Sequence, residues 1–198
     1  VAYAIKCLTT PNIPNNSGSV TPITFDAPKN CILNALSPHP TGGRHIVGHF
    51  VSSLVFQAFA HALPERVQAD SGMLNLINFQ GIRADGKGVS SIYFASGGYG
   101  ALLGLDGAAT LPSPSNMTGT PLEVWEEFTG IVVKEKSLIT DSGGAGKYRG
   151  GLGQKIVLSN ETGNNMIVSC LSGRTEFPAR GIAGGMSGGL RKVEINGV

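Results

Sequence analysis

The chain has 198 residues and a net charge of +2 at pH 7, with 14% charged and 41% hydrophobic residues. This length allows one well-buried core or two small ones. The sequence has no Lys/Arg cluster and no apolar run of membrane-spanning length. Both features argue against a nucleic acid or a membrane as partner. Charged residues are fewer than usual, which indicates a surface covered by other protein, either other subunits of an oligomer or further parts of the same polypeptide.

Three cysteines, Cys7, Cys31 and Cys170, are odd in number and form no CxxC pair. Their spacing predicts neither a zinc site nor a disulfide framework. We expect buried, reduced thiols in a cytoplasmic protein.

Little regular structure is predicted before residue 44. The apolar run Val1–Ile5 is interpreted as an exposed strand. Residues 8–22 are rich in Pro, Asn, Ser and Thr, which is typical of turns. Short strands are expected at Ile23–Phe25 and Cys31–Leu33, and the prolines of residues 37–43 indicate a loop.

One long amphipathic helix is predicted at about residues 44–63. Its apolar positions recur at spacings of three and one residues, and Pro64 ends it. His45 and His49 lie one turn apart, but Ile46 stands where zinc proteases have their catalytic Glu. Solvent-facing or capping roles are the preferred interpretation of both histidines.

The rest of the chain predicts mainly antiparallel strands. Met73–Phe79, Ser91–Phe94 and Ala101–Leu105 alternate with Gly-containing turns. Pro121–Phe128 is compatible with a short helix that has Pro at its first position, and short strands follow from Ile131. The fold class is therefore α+β and β-rich. The long helix packs on mixed, mainly antiparallel strands in a single compact unit, with a possible sub-boundary near residue 130.

Both ends of the sequence resemble positions within a longer chain. Val1 is not an initiator Met, and residues 192–198 are typical of a strand that enters a hairpin turn at Asn196-Gly197. We therefore expect residues 1–198 to be an internal piece of a longer protein.

Residues 141–153 are the most informative segment, because six of the thirteen are Gly. Hydrophobic runs flank the segment on both sides, which predicts a tight, ordered loop between strands with several glycines at positive φ. The segment does not match a phosphate-binding P-loop, because Asp141 replaces the first Gly and Tyr148 replaces the Ser or Thr. A structural double turn remains the alternative to any binding role.

Candidate catalytic and anion-binding residues lie in this loop. Asp141 and Ser142 would orient a catalytic group or, with Gly143 and Gly144, bind a phosphorylated intermediate through backbone N–H groups. The alternative for Asp141 is that it caps its own turn. Arg149 would clamp an anion, or else bond the carbonyl groups of the loop.

Two acidic residues outside the loop are further candidates. Glu123 and Glu126 lie three residues apart, on one face if the segment is helical. They would serve as a base, or as a partner of the catalytic groups, unless they are ordinary exposed acids. No set of metal ligands is predicted within the chain.

Motifs along nearly the whole chain resemble the hydantoinase B/oxoprolinase family. Their order is specific, although each is short. They are Ile13-Pro14-Asn15-Asn16-Ser17-Gly18, Ala62-Leu63-Pro64, Gly97-Gly98-Tyr99-Gly100, Asp106-Gly107, Asn116, Pro121-Leu122-Glu123, residues 141–153 and Gly181-Ile182-Ala183-Gly184-Gly185.

The resemblance implies an ATP-dependent enzyme of which this chain is one part. In that family, the B-type subunit works with a hydantoinase A-like subunit that carries the ATP site, and its divalent metal site lies N-terminal to the region that this chain resembles. The implied substrate is a small cyclic amide. No cofactor is expected within this chain.

Three interpretations of the function stay open. The parent opens a hydantoin or lactam, or it is a subunit of an ATP-dependent acetone or acetophenone carboxylase. The third is a non-catalytic interface module, which is preferred for the isolated 198 residues. In the 5-oxoprolinase branch the corresponding segment resembles Asn-Thr-Arg, whereas this chain has Asn116-Met117-Thr118. If that Arg pairs with a substrate carboxylate, the resemblance favours a hydantoin, a lactam or a ketone over 5-oxoproline.

Overall fold

The computed structural model describes residues 1–197 as a mixture of helices and antiparallel strands, which confirms the α+β class. In the order of the chain, the described elements are α1 (Ala2–Thr9), α2 (Ser17–Val20), α3 (Arg44–Phe59), β1 (Leu74–Ile82), β2 (Gly88–Ser96), α4 (Leu122–Thr129), β3 (Ile131–Leu138), β4 (Gln154–Asn160) and β5 (Met166–Leu171). Within residues 1–197, no helix combines the length and apolarity needed to cross a bilayer.

The strands form two antiparallel sheets. In the first sheet, β1 lies between β2 and β5. The turn from β1 to β2 is closed by Asp85, whose Oδ1 accepts a hydrogen bond of 3.1 Å from the Lys87 amide. Gly86 supplies the positive φ of 81° in this turn. The strands predicted at Met73–Phe79 and Ser91–Phe94 are confirmed, except that β1 begins at Leu74, and both strands extend further.

The second sheet contains β3 and β4, with a bulge between Val133 and Glu135. The glycine-rich segment of residues 141–153 joins these two strands, as predicted. The segment is therefore anchored at both ends by a ladder of backbone hydrogen bonds.

Trp125 joins α4 to both sheets. Its ring packs edge-on against Phe79 and Tyr93, with centroid distances of 5.5 and 4.9 Å, and Ile131 completes the buried cluster. The indole Nε1 donates a hydrogen bond of 3.1 Å to Ser91 Oγ. The short helix predicted around residue 125 is confirmed, but Pro121 occupies its N-cap rather than its first helical turn.

A second cluster holds α1 against α3 through Ala4, Leu8, Phe56 and Val67. The prediction of a strand at Val1–Ile5 is wrong, because this apolar run belongs to α1. Ala4 and Leu8 are spaced by four residues and share one helical face. A run of apolar residues this short fits a strand and a helix equally well.

The prediction of a single long amphipathic helix is not confirmed. Within residues 1–197 there are four helices, and α3 ends at Phe59 instead of near residue 63. The chain continues in tight turns, closed by hydrogen bonds from the Ala60 and Ala62 amides to carbonyls three residues back. The buried positions of α3 are Ser52 and Phe56, whereas Leu54 of the predicted stripe is 60% exposed.

Four further predicted strands do not form. Residues 23–25 and 31–33 are irregular, with one bridge between Cys31 and Asn34. Leu102 and Leu105 bond each other across a turn that contains Gly104 at φ 89°. Residues 192–195 are not a strand either, and Val198 lies outside the described residues. Among the described residues, these runs form only isolated bridges, which include one from Leu102 to Gln68, and no continuous ladder.

Candidate functional site

The loop between β3 and β4 packs against three other segments that contain glycine. It contacts residues 97–100, where the Gly151 amide donates a hydrogen bond of 2.8 Å to the Tyr99 carbonyl. It contacts residues 106–110, where the Gly107 amide donates a hydrogen bond of 2.7 Å to the Arg149 carbonyl. It also bonds residues 181–189, where the Met186 amide donates to the Ala145 carbonyl at 2.8 Å. Motifs that are far apart in the sequence thus form one backbone-to-backbone cluster.

The glycines of this loop allow close approach rather than unusual dihedral angles. The expectation of several glycines at positive φ is wrong, because the loop residue with positive φ is Asp141, at 57°. A Cβ built on Gly144 would lie 2.2 Å from the Met186 carbonyl oxygen, and one on Gly143 would lie 2.0 Å from that of Gly150. Neither position accepts a side chain without moving backbone.

Ser142 closes the base of the loop. Its hydroxyl donates to the Ile139 carbonyl at 2.7 Å and accepts from the Gly153 amide at 2.8 Å. Its own carbonyl accepts from the Gly189 amide at 2.9 Å. The hydroxyl is therefore engaged in holding the loop, and its predicted catalytic role stays a prediction.

Asp141 and Arg149 face each other across the loop. Arg149 Nη2 donates to Asp141 Oδ1 at 2.5 Å, and the two side chains are 46% (Arg149) and 82% (Asp141) exposed. Asp106 holds the backbone beneath them, because its Oδ1 accepts from the Arg149 amide at 2.7 Å. With Gly143, Ala145 and Gly146, the pair lines an open depression of about 350 Å³. The guanidinium thus pairs with a carboxylate, not with the carbonyls of the loop.

The amides of residues 143–148 belong to the same loop as this pair. Among residues 1–197, none of these six amides donates a hydrogen bond to another residue. Successive free backbone N–H groups next to an arginine favour an anion. The predicted role of this loop in binding an anion stays a prediction.

Glu123 and Glu126 lie on α4, away from these contacts. Glu123 is exposed in the first turn of the helix. Glu126 Oε1 accepts a hydrogen bond of 2.6 Å from the Val133 amide, next to the bulge of β3. Within the described part of the chain, neither carboxylate forms a hydrogen bond or ion pair with the loop. A role for Glu123 as a base stays a prediction.

The ring of His49 on α3 contacts two other residues of the chain. His49 Nδ1 lies 2.7 Å from the His45 carbonyl, and Nε2 lies 3.0 Å from Ser115 Oγ. Residues 1–197 contain no group of three His, Cys, Asp or Glu side chains placed to hold a metal ion. These residues therefore do not fit the metal that the family resemblance implies.

Sequence reasoning missed two polar features that the fold creates. Asp70 and Arg174, 104 residues apart, form an ion pair whose side chains are 2% and 8% exposed. Gln154 and Lys136 line a small cavity at the junction of β2, β3 and β4. Asp106 was interpreted only as a turn residue. The pairing of Asp70 with Arg174 left no local signal in the sequence, because the two lie on separate segments.

Comparison with known proteins gives a consistent result. The profile of the family described as Hydantoinase B/oxoprolinase matches residues 1–197. The B-type subunit of a putative D-/L-hydantoinase from Pseudomonas sp. is 32% identical over 72% of this chain and 24% of its own length. A 5-oxoprolinase from Dictyostelium discoideum is 28% identical over 92% of this chain and 14% of its own length.

The comparison with solved structures gives a nucleotide-free acetone carboxylase, with a TM-score of 0.48 and 23% identity over 56% of this chain and 15% of that one. The chain spans about a third or less of the length of the curated relatives that it matches.

Proposed function

Because the chain belongs to the Hydantoinase B/oxoprolinase family, we propose that it is part of the B-type subunit of an ATP-dependent amidohydrolase. The proposed reaction opens a cyclic amide, either a hydantoin or a lactam. The observation that carries this proposal is the family match along residues 1–197. The name of the Pseudomonas relative, which is that of a hydantoinase component, supports the same reaction class.

The depression between Asp141 and Arg149 is the part of this chain that we assign to the reaction. Addition of water to an amide carbonyl places negative charge on oxygen, and preorganised donors stabilise that charge. Arg149 and the amides of Gly143 and Gly144 would supply such donors. Asp141 holds the guanidinium, and Ser142 holds the loop that presents it.

The remaining parts of the reaction belong to other protein in this proposal. A hydantoinase A-like subunit would carry ATP, and a region of the parent outside this chain would carry a divalent metal, since residues 1–197 offer no ligand cluster. The complex would be a cytoplasmic hetero-oligomer. The chain would act within it as an interface module that closes one side of the active site.

Hydantoins are the preferred substrates within this class. Met117 and Thr118 follow Asn116, where the 5-oxoprolinase branch resembles Asn-Thr-Arg. Neither side chain carries a positive charge that could form an ion pair with the carboxylate of 5-oxoproline. A substrate without that carboxylate therefore suits this chain better.

The test is ring opening by the complete B-type polypeptide assembled with its A-type subunit and ATP. We expect hydantoin to be opened faster than 5-oxoproline. Arg149→Met should lower kcat/KM by roughly 10²-fold, as expected for the loss of one donor to an oxyanion. Lys147→Met is the matched control in the same loop, because Lys147 only approaches the Tyr148 ring, at 5.7 Å.

Three outcomes would contradict the proposal. Ring opening that does not require ATP would show that the complex is not an ATP-dependent amidohydrolase. Carboxylation of a ketone by the assembled complex, without ring opening, would replace it with the carboxylase function. Equal losses of kcat/KM in Arg149→Met and Lys147→Met would show that the depression does not take part in the reaction.

A further inference from the structure

His49 and Ser115 join α3 to the turn of residues 112–116, in a contact that the proposed function does not use. His49 Nδ1 lies 2.7 Å from the His45 carbonyl oxygen, one turn back on the helix, and Nε2 lies 3.0 Å from Ser115 Oγ. Because a carbonyl oxygen only accepts, Nδ1 carries the proton of the neutral ring. Nε2 is then unprotonated, and the Ser115 hydroxyl donates to it. This is the arrangement of a nucleophile with its general base.

The turn that carries Ser115 is anchored in the interior. Ser113 is buried, and its hydroxyl donates to Gln68 Oε1 at 3.0 Å. Its carbonyl accepts from the Ser71 hydroxyl at 3.2 Å. The Asn116 amide closes the turn on the carbonyl four residues back, at 2.8 Å, and Asn116 itself has a φ of 48°. The backbone on both sides of Ser115 is therefore held in place, as the positioning of a nucleophile requires.

The surroundings of the pair limit the substrates on which it can act. Ser115 is exposed and His49 is half-buried, so that a reagent in solution can reach the hydroxyl. Within residues 1–197, the ring is oriented by the His45 carbonyl and forms no ion pair with a carboxylate. A carbonyl orients the imidazole but places no negative charge beside the imidazolium that proton transfer creates. Substrates with a good leaving group are therefore favoured, which are activated esters rather than amides.

We propose that His49 and Ser115 form a catalytic dyad that hydrolyses activated carboxylic esters. Ser115 Oγ attacks the acyl carbon, and its proton moves to His49 Nε2. The bond from the acyl carbon to the leaving oxygen then breaks, and that oxygen takes the proton from Nε2. Water releases the acyl group from Ser115 by the same steps, so that one ester and one water give one acid and one alcohol. This activity is separate from ring opening and requires neither ATP nor a partner subunit.

A purely structural role for the contact is the alternative. In that case His49 ties the 112–116 turn to α3, and the Ser115 hydroxyl is no more reactive than that of any other exposed serine. The two roles differ in one measurable property, which is the rate at which Ser115 reacts with an electrophile when the imidazole is removed.

The experiment uses the 198-residue chain at neutral pH with two probes. A fluorophosphonate labels activated serines irreversibly, and peptide mass spectrometry locates and times the label on Ser115. Release of p-nitrophenolate from p-nitrophenyl acetate measures turnover. His49→Gln is the main variant, because glutamine can still accept from the Ser115 hydroxyl but is not a base. His45→Gln is the matched control, since it replaces an exposed histidine of the same helix and keeps the carbonyl that orients His49.

We expect Ser115 to be labelled in the wild type, at least tenfold more slowly in His49→Gln, and at the wild-type rate in His45→Gln. Ser115→Ala should lower the release of p-nitrophenolate to the level that the remaining histidines and lysines produce, and melting curves show that each variant folds. An unlabelled Ser115 in the wild type, or equal labelling rates in the wild type and His49→Gln, would overturn the proposal. Equal losses in the two histidine variants, or ester hydrolysis that Ser115→Ala leaves unchanged, would also overturn it.

Discussion

Gly98 and Gly151 meet backbone to backbone: a Cβ built on Gly98 would lie 1.9 Å from the carbonyl oxygen of Gly151. The contact joins the segment after β2 to the loop between β3 and β4. A hydrogen bond of 2.8 Å from the Gly151 amide to the Tyr99 carbonyl fixes its register. Because the depression at Arg149 lies on this loop, the glycine contacts also position the candidate site.

We predict that Gly144→Val and Gly151→Val each destabilise the fold by a few kcal/mol, because the new side chain would displace backbone. A Cβ on Gly151 would lie 2.0 Å from the Ala108 carbonyl oxygen. Thermal and urea melts measure the effect. Gly88→Val is the control, because no atom lies within 4 Å of its Cβ position and its φ is not positive. Melts of the two loop variants that match the wild type would contradict the close-packing explanation.

The sequence indicated that residues 141–153 form an ordered loop, because glycines were concentrated between two hydrophobic runs. It could not show what the glycines were for. Positive φ and close approach both require glycine, and only the fold brings Met186 within reach of Gly144. The partners of Gly144 and Gly151, which are Met186 and Ala108, lie more than 40 residues away along the chain, so that local patterns contain no trace of them.

The Asp70–Arg174 pair should be worth more to stability than any ion pair on the surface. Asp70 also accepts hydrogen bonds from the Ser71 amide at 2.9 Å and the Arg180 amide at 3.3 Å. Asp70→Asn leaves a buried guanidinium without a counter-charge, which costs about 3–5 kcal/mol. Urea denaturation measures the loss. Glu194→Gln, which breaks the exposed pair with Lys192, is the control and should not change stability measurably.

A small loss of stability in Asp70→Asn would contradict the stabilising role of the Asp70–Arg174 pair. The double variant Asp70→Asn with Arg174→Met, which keeps an acceptor oxygen at residue 70, provides the second test. Removing both charges takes away the unpaired cation, so that the double variant should be more stable than Asp70→Asn alone.

Tyr3 should make stability fall at alkaline pH. Burial, with a smaller contribution from Cys7, raises the pKa of its phenol to about 12, from the ordinary 10.0. Between these two pH values the folded chain keeps the proton and the unfolded chain releases it. The free energy of unfolding therefore decreases as pH rises through this range. Tyr3→Phe removes this group, so that its stability should fall less between pH 10 and 12. Parallel slopes for the two proteins would contradict the prediction.

Helices were harder to predict than the main strands. β1 and β2 carry turn chemistry at Asp85-Gly86 between two apolar runs, and this local signal was sufficient. Val1–Ile5 carries no such signal, and it becomes helical because Ala4 packs on Phe56 of α3. In α3 itself, apolar residues occur on all sides, so that the sequence did not reveal that Ser52 and Phe56 would form the buried side.

The isolated 198-residue chain should open neither hydantoin nor 5-oxoproline, with or without ATP. The loop at Asp141 departs from the P-loop pattern, and the chain spans about a third or less of the length of its curated relatives. Product formation is measured by chromatography against a mock purification, with the assembled complex as the positive control. Turnover that EDTA abolishes and the mock lacks would contradict this prediction.

The final prediction is that the isolated chain self-associates through β5. This strand lies at the edge of its sheet and contains no charged residue and no Pro. Ile167 and Val168 on it are 71% and 46% exposed. Unprotected edges of this kind pair with other strands, so that the mass measured by light scattering should rise with concentration. Ile167→Lys should return the chain toward a monomer, whereas Thr24→Lys, at an exposed position outside any strand, should not. A monomeric mass for the wild type at high concentration, or equal effects of both lysines, would show that this edge is not the site of association.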